Sequence, residues 1–285
     1  MIPRYYVVAE SEHELQNPIS EEKLLVLGKT LALDRSSRVL DVASGRGGPA
    51  LLLAGTYGCS VDGIEIEPAF QAVAHEHAHE RGLSELVSFR LGDASGIDLA
   101  PSAYDAALCL GATFVYGGLA ETVAALATSV KPGGYVAVGE PYWRRLPLPA
   151  DYDERNELFT TLDGTVTVFE TEGLPVVSVI ASSEDDWDRY ETLHWRSVAG
   201  WLAANPDDPE AEEIRSRSER HKRSYLRFGR DYMGWAIFVG WKRPISRPAD
   251  VAARSAGSRL DGDTRASARC PGAPERGTPC CPLEP

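Results

Sequence analysis

Two histidines lie four residues apart in HEHAH (75–79), and a glutamate follows the first of them. On a helix, residues four apart share a face, so His75 and His79 can bind one zinc ion while Glu76 acts as a general base. A functional site of this type also needs a third ligand and a cleft. The position of this helix in the fold decides between a metal site and a polar surface.

A second group of residues suited to chemistry lies earlier, in VLDVASGRGGPA (39–50). Gly45, Gly47 and Gly48 separate an apolar strand from a helix, where a ligand can approach the backbone and free N–H groups. Glu65, twenty positions after Gly45, can accept both hydroxyls of a ribose. The pattern predicts a cofactor that contains a nucleoside. GRGGPA alone also fits the dinucleotide pattern G-x-G-x-x-A.

Apolar strands and helices alternate around these residues. We predict strands at 37–43, 60–66, 86–93, 104–111 and 135–141, helices at 48–58, 68–82 and 119–130, and a turn at 131–134. The segment WAIFVGW (235–241) is predicted as a last, antiparallel strand. This alternation is typical of an α/β protein with a doubly wound parallel sheet.

Three further features favour one cofactor class over a nicotinamide. Asp41 precedes the glycine loop, Asp93 ends the third strand in LGDA, and SVKPGGYVAVGE (129–140) leads into the fifth strand. Together these motifs resemble the class I S-adenosylmethionine-dependent methyltransferases, within them the methyltransferase type 11 group with its ubiquinone/menaquinone-type enzymes, and most of all uncharacterised bacterial members. The motifs span about 37–141, and the wider resemblance reaches about residue 243. It implies a Rossmann-like, seven-stranded, mostly parallel sheet with helices on both faces.

The resemblance implies roles at the methionine end of S-adenosyl-L-methionine. The backbone at Ala43, Gly45 and Gly47 would pass close to the methionine part, and Asp41 would help to hold its amino group, directly or through water. Leu110, at the end of the fourth strand, would lie beneath the methyl donor. Ala43 departs from the family pattern, which has a glycine at this position.

It likewise implies roles at the nucleoside end. Glu65 would bind the ribose hydroxyls, and Ile66 would lie beside the adenine. Asp93 would accept a hydrogen bond from the adenine amino group, with the backbone of Ala94 nearby.

Three side chains at or beyond the end of the fifth strand are candidates for catalysis: Glu140 and Tyr142 in GEPYW, and His194. Glu140 is the best candidate for a general base, although many such acids only hold loops. His194 belongs to a stripe at helical spacing with Trp187 and Tyr190. Such a stripe is typical of core packing, and a ligand box is the alternative.

Composition and charge limit the partners and the cellular location that we expect. The net charge of −13 repels phosphate backbones, so we expect no nucleic-acid partner. No stretch reaches the length of a membrane span, and five cysteines without a C-x-x-C pair fit a cytoplasmic protein.

We expect an N-terminal lid at 1–30, a methyltransferase domain at 31–243 with a substrate cap around 143–232, and a disordered tail at 244–285.

The combined interpretation is a methyltransferase that transfers a methyl group to a small-molecule acceptor by in-line displacement. An NAD-dependent oxidoreductase on a similar sheet and a non-catalytic cofactor-binding protein are the alternatives.

On the helix at 68–82, His75 and His79 fall opposite the apolar stripe and are expected to face solvent. The sequence therefore predicts no metal site.

Overall fold

A seven-stranded sheet organises residues 2–152 and 159–244, the part of the chain that the computed structural model describes. Its strands are β1 (Arg38–Val42), β2 (Ser60–Glu65), β3 (Val87–Leu91), β4 (Tyr104–Leu110), β5 (Val130–Trp143), β6 (Val176–Ala181) and β7 (Met233–Trp241). Their order is β3-β2-β1-β4-β5-β7-β6, with β1 to β5 parallel and β7 antiparallel to both neighbours. The predicted fold class, including the antiparallel last strand, is confirmed.

Helices cover both faces of the sheet, and others pack beyond it. The α-helices of the described residues are α1 (Arg4–Ala9), α2 (Glu21–Thr30), α3 (Gly48–Tyr57), α4 (Pro68–Glu80), α5 (Leu119–Ser129), α6 (Leu162–Thr171), α7 (Glu184–Ala204), α8 (Ala211–Ser224) and α9 (Arg230–Tyr232). Side chains alternate along a strand, so Val39 packs into the core shared with α2, α3 and α4, whereas Leu40 packs with α5 and α6. Both faces of the sheet are therefore buried, as in other parallel sheets.

Local sequence explains where several of these helices begin. Pro49 and Pro68 occupy the first turns of α3 and α4, where a missing N–H is not needed. The side chain of Ser183 caps α7 by accepting from the backbone of Asp186, and Asp186 accepts from the backbone N–H of Ser183 in return. These caps fix the ends of the helices that surround the sheet edge.

Two parts of the sheet differ from the prediction. The segment 131–134 is a bulge inside β5 and not a turn, because Tyr104 pairs with Val130 while Ala106 pairs with Tyr135. Gly133 adopts a φ of 92° there, a conformation that serves a bulge as well as a turn. The strand β6 was not located from the sequence, although it pairs antiparallel with β7 at the sheet edge.

The N-terminal segment begins with a helix that was not located from the sequence. Residues Arg4–Ala9 form the helix α1, because Tyr5, Val8 and Ala9 place an apolar stripe on one side. This stripe packs against Val198 of α7 and Ile214 of α8 in a small core separate from the sheet. The lid at 1–30 stays a prediction, and it would contain α1 and α2.

The predicted substrate cap and tail correspond to different parts of the chain. The span 143–232 contains β6, which belongs to the sheet, together with α6, α7 and α8, and its role as a substrate cap stays a prediction. The predicted tail at 244–285 lies outside the described residues except for Pro244. Within the described ranges, none of the helices has both the length and the apolar character that crossing a bilayer requires.

Candidate functional site

A cavity of about 490 Å³, here called the first cavity, opens where β1, β2 and β4 end. This is the edge at which doubly wound sheets bind ligands, beside the reversal of strand order between β1 and β4. Six of the nine residues predicted to bind the cofactor line it: Asp41, Ala43, Gly45, Glu65, Ile66 and Leu110. Separate segments of the chain therefore meet in one pocket.

The loop after β1 is shaped by left-handed backbone. Ala43, Gly45 and Gly47 have φ angles of 56°, 57° and 81°. These angles turn the chain sharply between β1 and α3 and leave backbone groups facing the first cavity. Gly47 does not line the cavity, because it packs inward, where an added Cβ would meet the ring of Phe89 at 2.8 Å.

Two carboxylates lie side by side below this loop. Asp41 is 2% exposed and its Oδ2 atom has no hydrogen-bond partner within the described residues. Burial, and then the charge of Glu65, raise the pKa of Asp41 to about 7. Glu65 accepts hydrogen bonds from the backbone N–H groups of Gly45 at 2.7 Å and Glu67 at 2.8 Å. Burial raises the pKa of Glu65 above its usual value despite these bonds. Paired buried carboxylates of this kind suit a ligand that brings an ammonium group and hydroxyls.

Asp93 and Ala94 lie outside the lining of the first cavity. Asp93 is exposed, and its carboxylate accepts from the backbone N–H of Ser95 at 2.9 Å and from the Ser95 hydroxyl at 2.7 Å. Ala94 is buried in the core beside α5 and α6. The sequence placed both residues correctly at the end of β3, and their contact with the adenine stays a prediction.

The N-terminal segment supplies lining residues that the sequence did not single out as binding residues, including Glu10 and Gln16. The Gln16 side chain accepts a hydrogen bond of 2.7 Å from the backbone N–H of Arg46 in the glycine loop. The backbone of Glu14 packs against Gly48, where an added Cβ would lie 2.0 Å from the Glu14 carbonyl oxygen. Nothing in the local sequence signals these contacts, because they join segments about thirty positions apart.

A second cavity of about 430 Å³ adjoins the first and shares Tyr6, Glu10 and Tyr190 with it. Aromatic side chains dominate its wall: Tyr5, Tyr152, Trp187, Tyr190 and Tyr225. The aromatic residues of the stripe on α7 therefore belong to the core and also line this cavity. Trp187, for example, stacks on Tyr225 at 6.1 Å between ring centres. His194 also lines this cavity.

His194 lies in a buried network of charges. Its Nε2 atom donates to Glu10 Oε1 at 2.8 Å, and the Tyr190 hydroxyl donates to the same oxygen at 2.8 Å. Burial disfavours the charged ring, but the hydrogen bond to Glu10 and the nearby carboxylate of Glu191 outweigh it and raise the pKa of His194 to about 9. Burial likewise opposes ionisation of Glu191, yet His194 and His221 lower its pKa to about 2. The charged groups of this network therefore lie beside the boundary between the two cavities.

The other two catalytic candidates lie apart from both cavities. Glu140 is 8% exposed, and the Thr113 hydroxyl donates to its carboxylate at 3.0 and 3.2 Å. Burial raises the pKa of Glu140 to about 7, although the hydrogen bond from Thr113 opposes this. Tyr142 pairs with Gly234 of β7 and packs into the core beside α5 and α6. Neither residue belongs to the lining of the first or the second cavity.

The H-E-x-x-H segment lies on α4, away from both cavities. His79 is exposed as expected. His75 is exposed as well, but its ring packs edge-on against Phe89 and donates to the Phe89 carbonyl at 3.0 Å. Within the described residues, the two groups of side chains close enough to hold a metal ion do not include His75 or His79.

Comparisons with known proteins agree with this geometry. A family profile described as a methyltransferase domain matches residues 39–134. The uncharacterized protein YjhP of Escherichia coli K12 is 38% identical over 243 residues, which cover 84% of this chain and 98% of that protein. A sterol 24-C-methyltransferase of Saccharomyces cerevisiae is 32% identical over 124 residues, covering 44% of this chain and 31% of that protein.

A solved structure provides the comparison for the cofactor. The SAM-dependent methyltransferase of Geobacter sulfurreducens, crystallised in complex with S-adenosyl-L-homocysteine, has a TM-score of 0.80 and 38% identity, covering 85% of this chain and 99% of that one. The sheet, the glycine loop and the similarity along almost the whole length of YjhP and of the Geobacter sulfurreducens protein lead to one assignment. The chain belongs to the class I S-adenosylmethionine-dependent methyltransferases, whose cofactor is S-adenosylmethionine.

Proposed function

We propose that this chain transfers a methyl group from S-adenosylmethionine in the first cavity to a small-molecule acceptor in the second cavity. The observation that carries this proposal is the boundary where both cavities share Tyr6, Glu10 and Tyr190. Direct displacement requires donor and acceptor to meet within about 3 Å, which adjoining cavities allow.

The side chains of the first cavity fit the charge pattern of the cofactor. The unpartnered oxygen of Asp41 suits an ammonium group, and Glu65 suits the hydroxyls of a ribose. Ile66 is 40% exposed at the cavity and offers an apolar surface to the adenine. When bound, the cofactor supplies a methyl group on a positively charged sulfur, which is already activated for transfer.

The chain then contributes mainly by positioning. In an in-line displacement the acceptor forms a bond to the methyl carbon while the bond from that carbon to the sulfur breaks. Alignment of the reacting atoms can supply most of the rate. At the boundary, the rings of Tyr6 and Tyr190 can stabilise positive charge through their faces, and Glu10 adds a carboxylate. Glu140 then holds the loop after β4 through Thr113, as a positioning residue.

The second cavity favours an acceptor with a planar or apolar body and a polar group. Its aromatic wall offers flat surfaces, whereas Glu10 and His194 offer hydrogen bonds at the side that faces the first cavity. Arg217 and Arg220 also line this cavity and add positive charge to its wall. We therefore expect a small organic molecule that exposes its nucleophile towards Glu10.

The test is transfer of an isotopically labelled methyl group. The protein is incubated with S-adenosylmethionine that carries a deuterated methyl group and with a fractionated small-molecule extract, and labelled products are identified by mass spectrometry. The proposal expects labelled small molecules that depend on the protein. An absence of labelled product in every fraction, with S-adenosylhomocysteine still binding, would favour a non-catalytic cofactor-binding protein.

A pair of variants separates the two cavities once an acceptor is known. Glu65→Ala should weaken S-adenosylhomocysteine binding at least about tenfold, because hydrogen bonds to a charged acceptor are worth roughly 1.5–3 kcal/mol each. Met233 lines only the second cavity, so Met233→Ala should raise the KM for the acceptor and leave S-adenosylhomocysteine affinity unchanged. Equal effects of both variants on cofactor affinity would contradict the division into donor and acceptor cavities.

A further inference from the structure

Three side chains from distant parts of the chain converge beside the boundary of the two cavities. Glu10 follows α1, His13 lies four residues from its end, and His194 belongs to α7. Each is at least nine-tenths buried, with exposures of 7%, 2% and 6%. One potential ligand atom from each residue lies within 4.8 Å of the other two.

The hydrogen bond of His13 determines which of its ring nitrogens faces this cluster. Its Nε2 atom lies 3.0 Å from the carbonyl oxygen of Tyr190, which can only accept, so Nε2 carries the proton. The neutral ring then presents a lone pair at Nδ1, which lies 3.6 Å from Glu10 Oε2.

Neither His13 Nδ1 nor Glu10 Oε2 has a hydrogen-bond partner within the described residues. A lone pair that faces a carboxylate oxygen in a buried site needs a positive group between them. The ligands of a tetrahedral zinc ion, each about 2.0–2.1 Å from the metal, lie roughly 3.4 Å from one another. The separation of 3.6 Å between these two atoms is close to that spacing.

We infer that Glu10, His13 and His194 form a binding site for a divalent transition-metal ion of the zinc type. Two imidazoles and one carboxylate select such an ion over magnesium or calcium, which prefer oxygen ligands. His194 Nε2 would exchange its proton for the metal ion, and Glu10 Oε2 and His13 Nδ1 would complete three ligands.

The surroundings of the two histidines support this assignment. Metal-binding histidines usually donate their second N–H to a carbonyl or carboxylate, which fixes the ring. His13 donates to the carbonyl of Tyr190 in this way. The Nδ1 atom of His194 lies 4.0 Å from Glu191 Oε2, beyond hydrogen-bond distance but on the side of a carboxylate. Two histidines and one glutamate are also the ligand set of catalytic zinc sites, in which a fourth position stays open. Here that position would face the second cavity, which Glu10 and His194 both line. Binding of an acceptor oxygen at this fourth position of the metal ion rests on the proposed function.

A second group, Glu191, His194 and His221, shares one member with this site. The side chain of His221 is 42% exposed and lies 3.3 Å from Glu191 Oε2, so an ordinary ion pair accounts for it. The site with His13 is favoured because its unpartnered atoms are fully enclosed. The two groups make opposite predictions for variants of His13 and His221.

The experiment measures metal binding by the untagged, full-length chain after treatment with a chelator. Isothermal titration with Zn²⁺ should give one ion per chain, and Co²⁺ should give the strong visible absorption of a tetrahedral site. His13→Gln should weaken Zn²⁺ binding by at least about 100-fold, since even outer partners of metal ligands contribute 10–100-fold. The matched controls are His221→Gln and the double variant His75→Gln with His79→Gln, and both should bind as the wild type does.

Folding is checked in each variant by the shift in Tm that S-adenosylhomocysteine produces. If His13→Gln does not fold, Glu10→Gln replaces it, and the Co²⁺ spectrum of the wild type is read without any variant. Absence of a bound ion in the wild type overturns the inference, as does loss of binding in either control. Metal binding without methyl transfer supports the metal site and counts against the proposed function alone, so the two failures are distinguishable.

Discussion

Ala43 is the residue at which this chain departs most clearly from the pattern of its family, and the backbone shows the consequence. Its φ of 56° lies in the left-handed region, which costs a residue with a Cβ about 1–2 kcal/mol relative to glycine. The position borders the first cavity, so the glycine loop keeps its conformation at the expense of stability.

Replacing this alanine should therefore stabilise the protein. Ala43→Gly should raise the free energy of unfolding by about 0.5–1 kcal/mol, after the greater freedom of glycine in the unfolded chain is counted. Urea denaturation measures this change. Ala54→Gly in the middle of α3 is the control, and it should lower stability by about 1 kcal/mol or more. A loss of stability in Ala43→Gly would mean that the methyl group makes packing contacts that outweigh the backbone strain.

Glu140 makes stability depend on pH. Its pKa of about 7 in the folded state exceeds the usual value of 4.5, so the folded state holds its proton where the unfolded state has lost it. The contribution of this group is therefore fully present below about pH 4.5 and is lost as pH rises to about 7. Glu140→Gln does not titrate, so its stability relative to the wild type should grow by up to about 3 kcal/mol between these pH values. Thermal unfolding at pH 5 and pH 8 tests this, and an equal difference at both pH values would contradict it.

At the scale of elements, the N-terminal segment packs directly on the helix that follows the glycine loop. Gly48, the first residue of α3, has no room for a Cβ, because the carbonyl oxygen of Glu14 lies 2.0 Å from that position. Gly48→Ala should displace this segment, lower stability by about 1–3 kcal/mol and weaken S-adenosylhomocysteine binding. Gly55→Ala in the same helix meets only Leu83, at 3.5 Å, and should be neutral or stabilising by up to about 1 kcal/mol. Calorimetry of both variants measures the contrast, and similar results for the two would contradict this packing.

The sequence predicted the strands of the parallel sheet, but it did not predict the bulge in β5 or the helix α1. Strands β1 to β5 were located because their apolar runs are continuous and the elements between them keep helical spacing. The bulge at 131–134 was predicted as a turn, since lysine, proline and two glycines suit either structure and only the pairing with β4 separates them. The helix α1 is not predicted from the sequence, because a helix of six residues has too few turns for a clear periodicity.

The sequence likewise predicted some residues of the candidate site and missed others. Asp41, Gly45 and Glu65 were found because one strand–loop–helix unit carries them at a fixed spacing. Glu10 and Tyr190 line both cavities, yet 180 positions separate them in the chain, and no local pattern signals such a contact. The predicted roles of Glu140 and Tyr142 relied on proximity to the end of β5, although the side chains of a strand alternate between two sides.

At the scale of the whole molecule, the sequence predicts that the C-terminal segment contributes little to stability. Residues 250–285 contain no aromatic side chain and are rich in Pro, Gly, Ala, Ser and Arg. Such a composition offers little apolar surface to bury. Deletion of residues 250–285 should leave Tm and S-adenosylhomocysteine affinity nearly unchanged, as differential scanning fluorimetry and titration can measure. A substantial fall in Tm would place the domain boundary later than residue 243.

The shared boundary of the two cavities also affects how an enzyme of this design can evolve. Glu10 follows α1, which is anchored on α7 and α8 through Tyr5 and Val8, and α7 and α8 also form the wall of the second cavity. A substitution that reshapes this wall would shift α1, and with it Tyr6 and Glu10, which line the first cavity. If the second cavity holds the acceptor, as we propose, a duplicated gene selected for another acceptor would therefore also acquire an altered balance between binding of S-adenosylmethionine and of S-adenosylhomocysteine. Divergence in substrate use and divergence in product inhibition would be inherited together.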